Sequence, residues 1–177
     1  VIILKKGNKM IFTRELYLNQ LIQKKQNGMV KIITGLRRCG KSFLLFNLFH
    51  NKLISQGVPE SHIIKIPLDN LDFIELRDKI SLYKFIKSKI TDNQQYYCFL
   101  DEIQLVKGFE EVLNSLLHIQ NIDVYVTGSN SRFLVKDVIT EFRGRGDEIR
   151  LYPLSFKEFF ENLGFDAGIE LSAITCT

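Results

Sequence analysis

The stretch between Val30 and Ile54 is the part of the sequence that most constrains the fold. It reads VKIITGLRRCGKSFLLFNLFHNKLI. Its first residues are mostly apolar and β-branched and lead into a glycine, a pattern that indicates a buried strand. After Gly40, leucine and phenylalanine recur as in a helix that packs on several sides. A strand, a polar glycine-containing loop and a helix, in that order, predict a site for a phosphate group.

The loop itself matches the pattern G-x-x-x-x-G-K-[ST] at every fixed position. Its glycines allow the backbone to curl so that N–H groups face inward, and the following helix adds its positive N-terminal end. We expect Lys41 to reach the β- and γ-phosphates and the Ser42 hydroxyl to bind Mg²⁺. The alternative is a surface turn with a solvated lysine. The residues predicted to bind the nucleotide are Gly35, Leu36, Arg37, Arg38, Cys39, Gly40, Lys41, Ser42 and Phe43.

A second motif places two acids at the end of an apolar segment, in the sequence YYCFLDEIQ. This is the Walker B arrangement, in which Asp101 would hold Mg²⁺ and Glu102 would orient or deprotonate the attacking water. The alternative is a solvated acidic pair that opens a loop. Because a small-molecule kinase seldom places such a glutamate directly after the metal aspartate, the pair favours hydrolysis over phosphoryl transfer to a metabolite.

Two further segments contain candidates for catalysis. In VYVTGSNSRF, Asn130 is our first candidate and Ser129 our second for a side chain that reaches the γ-phosphate or the water, the role called sensor 1. Either residue could equally be a helix N-cap. In EFRGRGDEIRLYPL, Arg145, and less readily Arg143, could act as an arginine finger, which stabilises the transition-state charge on the nucleotide of a neighbouring subunit. Solvated turn residues or local ion pairs are the alternative for both arginines.

The whole chain alternates strand-like and helix-like segments. Apolar strands separated by helices predict a parallel sheet covered on both faces, with ligands at the carboxyl ends of the strands. The predicted strands are residues 30–34, 62–68, 96–100, 123–127 and 148–154, and the predicted helices are residues 41–54, 81–90, 109–119 and 130–139.

Composition excludes several classes of protein. No apolar run approaches the roughly 20 residues that span a bilayer, so we expect a soluble protein without a membrane partner. Three cysteines and three histidines are too scattered for a disulfide framework or a zinc site, which favours a reducing cytoplasm. The net charge of +4 is mild and does not by itself argue for nucleic-acid binding.

Five segments together resemble one family. TGLRRCGKS, FLDEIQ, VTGSNSRFL, FRGRG and LYPLSFKEFF, in this order, are similar to the prokaryotic AAA+-type ATPases whose ATPase domain precedes a C-terminal domain of unknown function. The resemblance runs from Phe12 to Phe160. It implies ATP and Mg²⁺, a three-layer P-loop NTPase sandwich of α/β class, and a mostly parallel five-stranded sheet of order 5-1-4-3-2. The site roles that it implies fall on Lys41, Ser42, Asp101, Glu102, Asn130 and Arg145.

The resemblance also divides the chain. Residues 12–160 would form the P-loop ATPase domain, residues 1–11 an N-terminal extension, and residues 161–177 a truncated tail without the C-terminal domain. In the segment IFTRELYLNQLI, either Arg14 or nearby apolar residues pack on adenine, or a helix covers the sheet edge.

The function expected from these observations is a Mg²⁺-dependent ATPase, weak as an isolated domain, that drives a conformational change. ATP or ADP would be its ligands and a second copy of the chain a partner. The alternatives are a nucleotide switch with little hydrolysis, a DNA-associated motor, or a phosphotransferase.

Overall fold

The structure is a computed structural model that describes residues 2–5, 8–128, 145–156 and 158–159. Within this part, five parallel strands form one sheet and two antiparallel strands form a separate hairpin. The strands are β1 (Ile2–Lys5), β2 (Asn8–Ile11), β3 (Val30–Gly35), β4 (Ile63–Pro67), β5 (Tyr96–Asp101), β6 (Ile122–Thr127) and β7 (Gly146–Leu151).

The order of strands across the five-stranded sheet is β4-β5-β6-β3-β7. If the five strands are numbered 1 to 5 in chain order, this order is 2-3-4-1-5. It is the predicted order 5-1-4-3-2 read from the other side of the sheet. The predicted α/β class and the parallel sheet are therefore confirmed. Because β6 lies between β3 and β5, the carboxyl ends of these three strands meet at the middle of one sheet edge.

Five α-helices accompany the strands in the described ranges. They are α1 (Glu15–Gln23), α2 (Lys41–Phe43), α3 (His50–Ser55), α4 (Lys79–Lys89) and α5 (Phe109–Leu117). A π-helical stretch (Leu44–Phe49) joins α2 to α3. The helix predicted after the loop is therefore one continuous helix from Lys41 to Ser55, which is called the rod below. Short 3₁₀ turns occupy Glu60–His62, Leu71–Arg77 and Ile103–Leu105. The helix predicted at residues 130–139 lies outside the described residues.

The sheet separates two apolar cores, because successive side chains on a strand point to opposite faces. On β5, Tyr96, Cys98 and Leu100 enter the core that α4 and α5 cover. Tyr97 and Phe99 enter the core that α1 and the rod from α2 to α3 cover. Helices therefore pack on both faces, as the three-layer prediction requires. The same alternation directs Asp101 toward the face of the rod that begins at Lys41.

Two segments differ from the sequence interpretation. The last strand was predicted at residues 148–154 but ends at Leu151, because its partner β3 ends at Gly35, with which Leu151 is paired. The Tyr152 N–H points to the Tyr17 hydroxyl, 3.3 Å away. The hairpin of β1 and β2, which pairs Ile2 with Ile11, falls in the segment interpreted as an extension and was not predicted.

None of the described helices combines the length and the apolar character needed to cross a membrane.

Candidate nucleotide site

The glycine-containing loop lies between β3 and α2, at the carboxyl end of the central strand. Gly35 has φ 148° and Gly40 has φ 99°, values that residues with a side chain rarely adopt. A Cβ atom at Gly35 would overlap the carbonyl oxygen of Leu151, so β7 lies too close for any other residue. Gly40 is the N-cap of the rod and supplies no side chain to its first N–H groups. The loop therefore has the curl that the phosphate prediction requires.

Lys41 is folded into this loop. The residue is 5% exposed, and its Nζ donates to the carbonyl oxygens of Gly35 and Leu36 at 3.1 Å each. Charged phosphate oxygens are stronger acceptors than neutral carbonyls. The ammonium group can therefore exchange its contacts with the loop for contacts with a phosphate without a large movement.

The other loop residues divide between the surface and the interior. Leu36, Arg37 and Arg38 are exposed, and Arg38 has a left-handed φ of 65°. Cys39 is buried, and its N–H donates to the Leu36 carbonyl at 3.3 Å. Phe43 is partly buried in the first turn of the rod. The residues predicted to bind nucleotide thus form one continuous loop and helix start.

Asp101 ends β5 and contacts the start of the rod. The Thr127 hydroxyl donates to its Oδ1, and the Ser42 side chain lies close enough to influence its pKa. Burial raises the pKa of Asp101, and the neighbouring hydroxyl groups of Ser42 and Thr127 oppose this rise. The structure therefore brings together the two residues predicted to hold the metal. A hydroxyl and a carboxylate are oxygen ligands of the kind that Mg²⁺ combines with phosphate and water.

Glu102 follows Asp101 in an unusual backbone conformation. Its φ and ψ are 52° and 50°, in the left-handed region, where a residue other than glycine costs about 1 kcal/mol. The Glu102 N–H donates to the Thr127 Oγ1 at 3.1 Å, and Gln104 Nε2 donates to the Glu102 carboxylate. Glu102 is partly buried at the same sheet edge as Lys41.

Two residues of this edge were missed by the sequence analysis. Thr127 touches both acids, and Gln104 touches Glu102. The position of Thr127 at the end of its strand was a usable signal, since the carboxyl ends of neighbouring parallel strands meet. Nothing in the sequence indicated Gln104, because its contact depends on the 3₁₀ turn.

The remaining predicted residues are only partly described. Ser129, Asn130 and Arg143 lie outside the described residues. Arg145 is exposed immediately before β7, and its carbonyl accepts a hydrogen bond from the Val30 N–H at 2.9 Å. Val30 begins β3, whereas the loop follows the end of β3. Arg145 therefore lies at the sheet edge opposite to the loop of its own chain.

Arg14 joins the start of α1 to the segment after β7. Its side chain donates to the Tyr152 carbonyl at 2.6 Å and its Nε lies 3.0 Å from Glu158 Oε1. The guanidinium carbon also lies 4.7 Å from the centre of the Tyr17 ring. Arg14 is 4% exposed, so these contacts hold it inside the protein. They favour the interpretation in which α1 covers the edge of the sheet.

The sheet order and the loop define a P-loop nucleotide-binding class of protein. A family model described as an AAA domain matches residues 27–160. The chain therefore belongs to this family of AAA+ P-loop ATPases, which confirms the AAA+ part of the resemblance, while the C-terminal domain stays a prediction.

Three known proteins illustrate the relationship. The chain is 36% identical over 161 residues to an uncharacterized protein of Haemophilus influenzae, covering 90% of this chain and 40% of the relative. It is 32% identical over 149 residues to an uncharacterized protein of Methanocaldococcus jannaschii, covering 82% and 31%. The chain thus spans less than half the length of either relative. AMPPCP-bound DnaA from Aquifex aeolicus shares the fold, with a TM-score of 0.57 and 16% identity over 86% of this chain and 50% of DnaA.

Proposed function

We propose that this domain binds ATP with Mg²⁺ in the cytoplasm and hydrolyses it to drive a conformational change in the protein that contains it. The observation that carries this proposal is the glycine-containing loop whose carbonyls hold the buried Lys41, with Ser42 beside it in the chain and Asp101 close to Ser42. A hydroxyl and an ammonium group from the start of α2 and a carboxylate from the end of β5 therefore lie around one loop. Such a set suits a triphosphate with its metal better than any single anion.

Each side chain has a distinct task in the proposed reaction. Lys41 would exchange the loop carbonyls for phosphate oxygens, and Ser42 and Asp101 would hold Mg²⁺. When bound there, Mg²⁺ would supply positive charge that offsets the charge developing on the phosphate oxygens. Glu102 would accept a proton from the water as its oxygen bonds to the γ-phosphorus. The bond to the β–γ bridging oxygen then breaks, which yields ADP and phosphate.

A nucleotide switch with little hydrolysis is the second candidate. Gln104 Nε2 donates to the Glu102 carboxylate, so one oxygen of the proposed base is already engaged. An oxygen engaged in this way has one fewer lone pair to offer to a water molecule. A partner or a second copy of the chain would then be needed to release Glu102.

ATP binding and phosphate release should be measured at several protein concentrations. We expect Lys41→Ala to lose nucleotide binding and Glu102→Gln to bind ATP without turnover. Lys52→Ala is the matched control, because Lys52 is exposed on the same rod, in α3. Turnover that rises with concentration supports a site completed between subunits. Parallel assays with DNA test the DNA-associated motor, for which stimulation and salt-sensitive binding are expected.

The outcomes separate the alternatives. ATP binding without phosphate release at any concentration supports the switch. A phosphorylated acceptor in place of free phosphate supports a phosphotransferase. If the folded wild-type protein and Lys41→Ala both fail to bind nucleotide, the loop is only a turn and the proposal is wrong.

A further inference from the structure

We propose that Thr127 is a positioning residue that couples the metal aspartate Asp101 to the proposed base Glu102 through one hydroxyl group. This inference rests on the proposed function, because it assigns Asp101 to Mg²⁺ and Glu102 to water. Thr127 itself does not have to touch the nucleotide. Its role follows from two hydrogen bonds and from its place in the sheet.

Thr127 is the last residue of β6 and has no exposed surface. In the parallel register of β5 and β6, Leu100 is paired with Val126, so Asp101 lies level with Thr127. Level side chains on neighbouring parallel strands point to the same face. Both therefore point toward the rod that begins at Lys41. This placement depends on the backbone of two central strands and not on a loop.

The hydroxyl group of Thr127 uses both of its hydrogen-bonding capacities. It donates to Oδ1 of Asp101, and it accepts from the Glu102 N–H at 3.1 Å. A buried hydroxyl without partners would cost free energy, and valine would fill the same volume in a strand. A threonine at this position is therefore explained by its hydrogen bonds to the Asp101 carboxylate and the Glu102 N–H.

The donated hydrogen bond fixes the orientation of Asp101. A carboxylate with one oxygen held by Thr127 cannot rotate freely. Partners that orient metal-binding carboxylates typically change metal affinity or activity by about 10–100-fold when they are removed. Thr127 should therefore determine how much Mg²⁺ the site needs.

The hydrogen bond that Thr127 accepts holds the backbone of Glu102 in its left-handed conformation. Glu102 lies beyond the last residue of β5, and its left-handed backbone sends its side chain away from the strand direction. The Thr127 oxygen satisfies its N–H in this conformation. Without that acceptor, the backbone of Glu102 would lose a contact that favours the left-handed turn.

Thr127→Val removes the hydroxyl at constant volume, and Thr127→Ser retains it. Thr34→Val is the matched control. Thr34 is equally buried on the adjacent strand β3, but its hydroxyl donates to Glu148. Strand alternation directs Thr34 toward the opposite face of the sheet from Thr127, since Ile33 shares the core next to the rod.

The main measurement is the affinity for a non-hydrolysable ATP analogue as Mg²⁺ is varied, with phosphate release as the second. We expect Thr127→Val to bind the analogue normally without Mg²⁺. It should need at least about tenfold more Mg²⁺ to gain affinity, and it should release phosphate at least about tenfold more slowly. Thr127→Ser should restore most of both properties, and Thr34→Val should behave like the wild type.

Three outcomes decide the matter. An unchanged Mg²⁺ requirement in a folded Thr127→Val protein overturns the inference. Weaker analogue binding without Mg²⁺, accompanied by a lower melting temperature, assigns Thr127 a structural role only and also overturns it. A wild type that binds the Mg²⁺ complex but never hydrolyses ATP contradicts the proposed ATPase alone. In that case the Mg²⁺ requirement still decides whether Thr127 positions Asp101.

Discussion

Lys31 of β3 and Asp123 of β6 form an ion pair whose side chains are 0% and 4% exposed. The ammonium group also donates to the Met29 carbonyl at 3.0 Å. The second carboxylate oxygen accepts from the Gln26 N–H at 2.9 Å and the Tyr125 hydroxyl at 2.8 Å. Burial lowers the pKa of Lys31, while Asp123 opposes this change. The pair lies near the amino ends of the strands, away from the nucleotide loop.

Lys31→Met should destabilise the protein by about 3–5 kcal/mol, because it leaves the buried Asp123 charge without its partner. The measurement is the free energy of unfolding in urea. Lys31→Met combined with Asp123→Asn should be more stable than the single variant, since the unpaired charge is then absent.

A partly exposed ion pair provides a matched control. Lys24 and Asp147 form an ion pair whose side chains are 30% and 20% exposed. Lys24→Met should cost at most about 1 kcal/mol, because water solvates the remaining charge. Equal losses for Lys24→Met and Lys31→Met would contradict the role assigned to burial.

Asp101→Asn should raise the stability of the protein while it removes metal-dependent function. Burial raises the pKa of Asp101 above its ordinary value of 3.8, so the folded state binds this proton more tightly than the unfolded chain. The ionised carboxylate therefore lowers stability once the pH exceeds the raised value, and this cost disappears below 3.8. At neutral pH, without Mg²⁺, Asp101→Asn should melt at a higher temperature than the wild type.

The pH dependence provides the check. The difference in melting temperature should shrink as the pH falls toward 3.8, because the wild-type carboxyl is then protonated as well. Adding ATP with Mg²⁺ should raise the melting temperature of the wild type more than that of Asp101→Asn. A variant that melts below the wild type at neutral pH would show that the carboxylate stabilises the fold.

Gly35→Ala should abolish nucleotide binding through a steric clash, because no functional side chain is lost. An alanine Cβ would meet the Leu151 carbonyl, so β7 or the loop would have to move. Gly57→Ala is the control, because Gly57 has φ 86° but nothing within 4 Å of the added atom. It should cost about 1–2 kcal/mol for the left-handed backbone alone and keep full affinity for ATP. Similar affinities in the two variants would be the contradictory result.

Four of the five strands of the sheet were predictable because most of their residues are buried. The five segments predicted as strands contain few polar side chains, and each corresponds to a strand of the sheet. The order of the strands came from the family resemblance and not from the strands themselves, since several orders would bury the same side chains. The error at residues 152–154 arose because a strand ends where its neighbour ends.

The position of the two acidic residues at the end of a strand could be predicted, but the residues that hydrogen-bond to them could not. Asp101 follows an apolar run, which is visible in the sequence. The contact between Thr127 and both acids depends on the register between β5 and β6, which no local pattern specifies. The left-handed conformation of Glu102 was equally hidden, because glutamate is not a residue that favours it.

Arg145 is predicted to act on the nucleotide of a neighbouring subunit. The six residues of β7 separate it from the sheet edge that carries its own loop, a distance of about 20 Å. An arginine side chain cannot cover that distance within one chain. Arg145 is exposed at the opposite edge, where a second copy could approach it.

Mixing two inactive variants tests this prediction. Arg145→Ala supplies an intact Glu102 but no finger, and Glu102→Gln supplies the finger but no base. If the site is shared between subunits, each protein alone should release phosphate at least about 10³-fold more slowly than the wild type. Their mixture should regain part of the turnover, because some interfaces then combine both intact residues. A mixture as inactive as its components, at concentrations where the wild type is active, would exclude Arg145 as a finger.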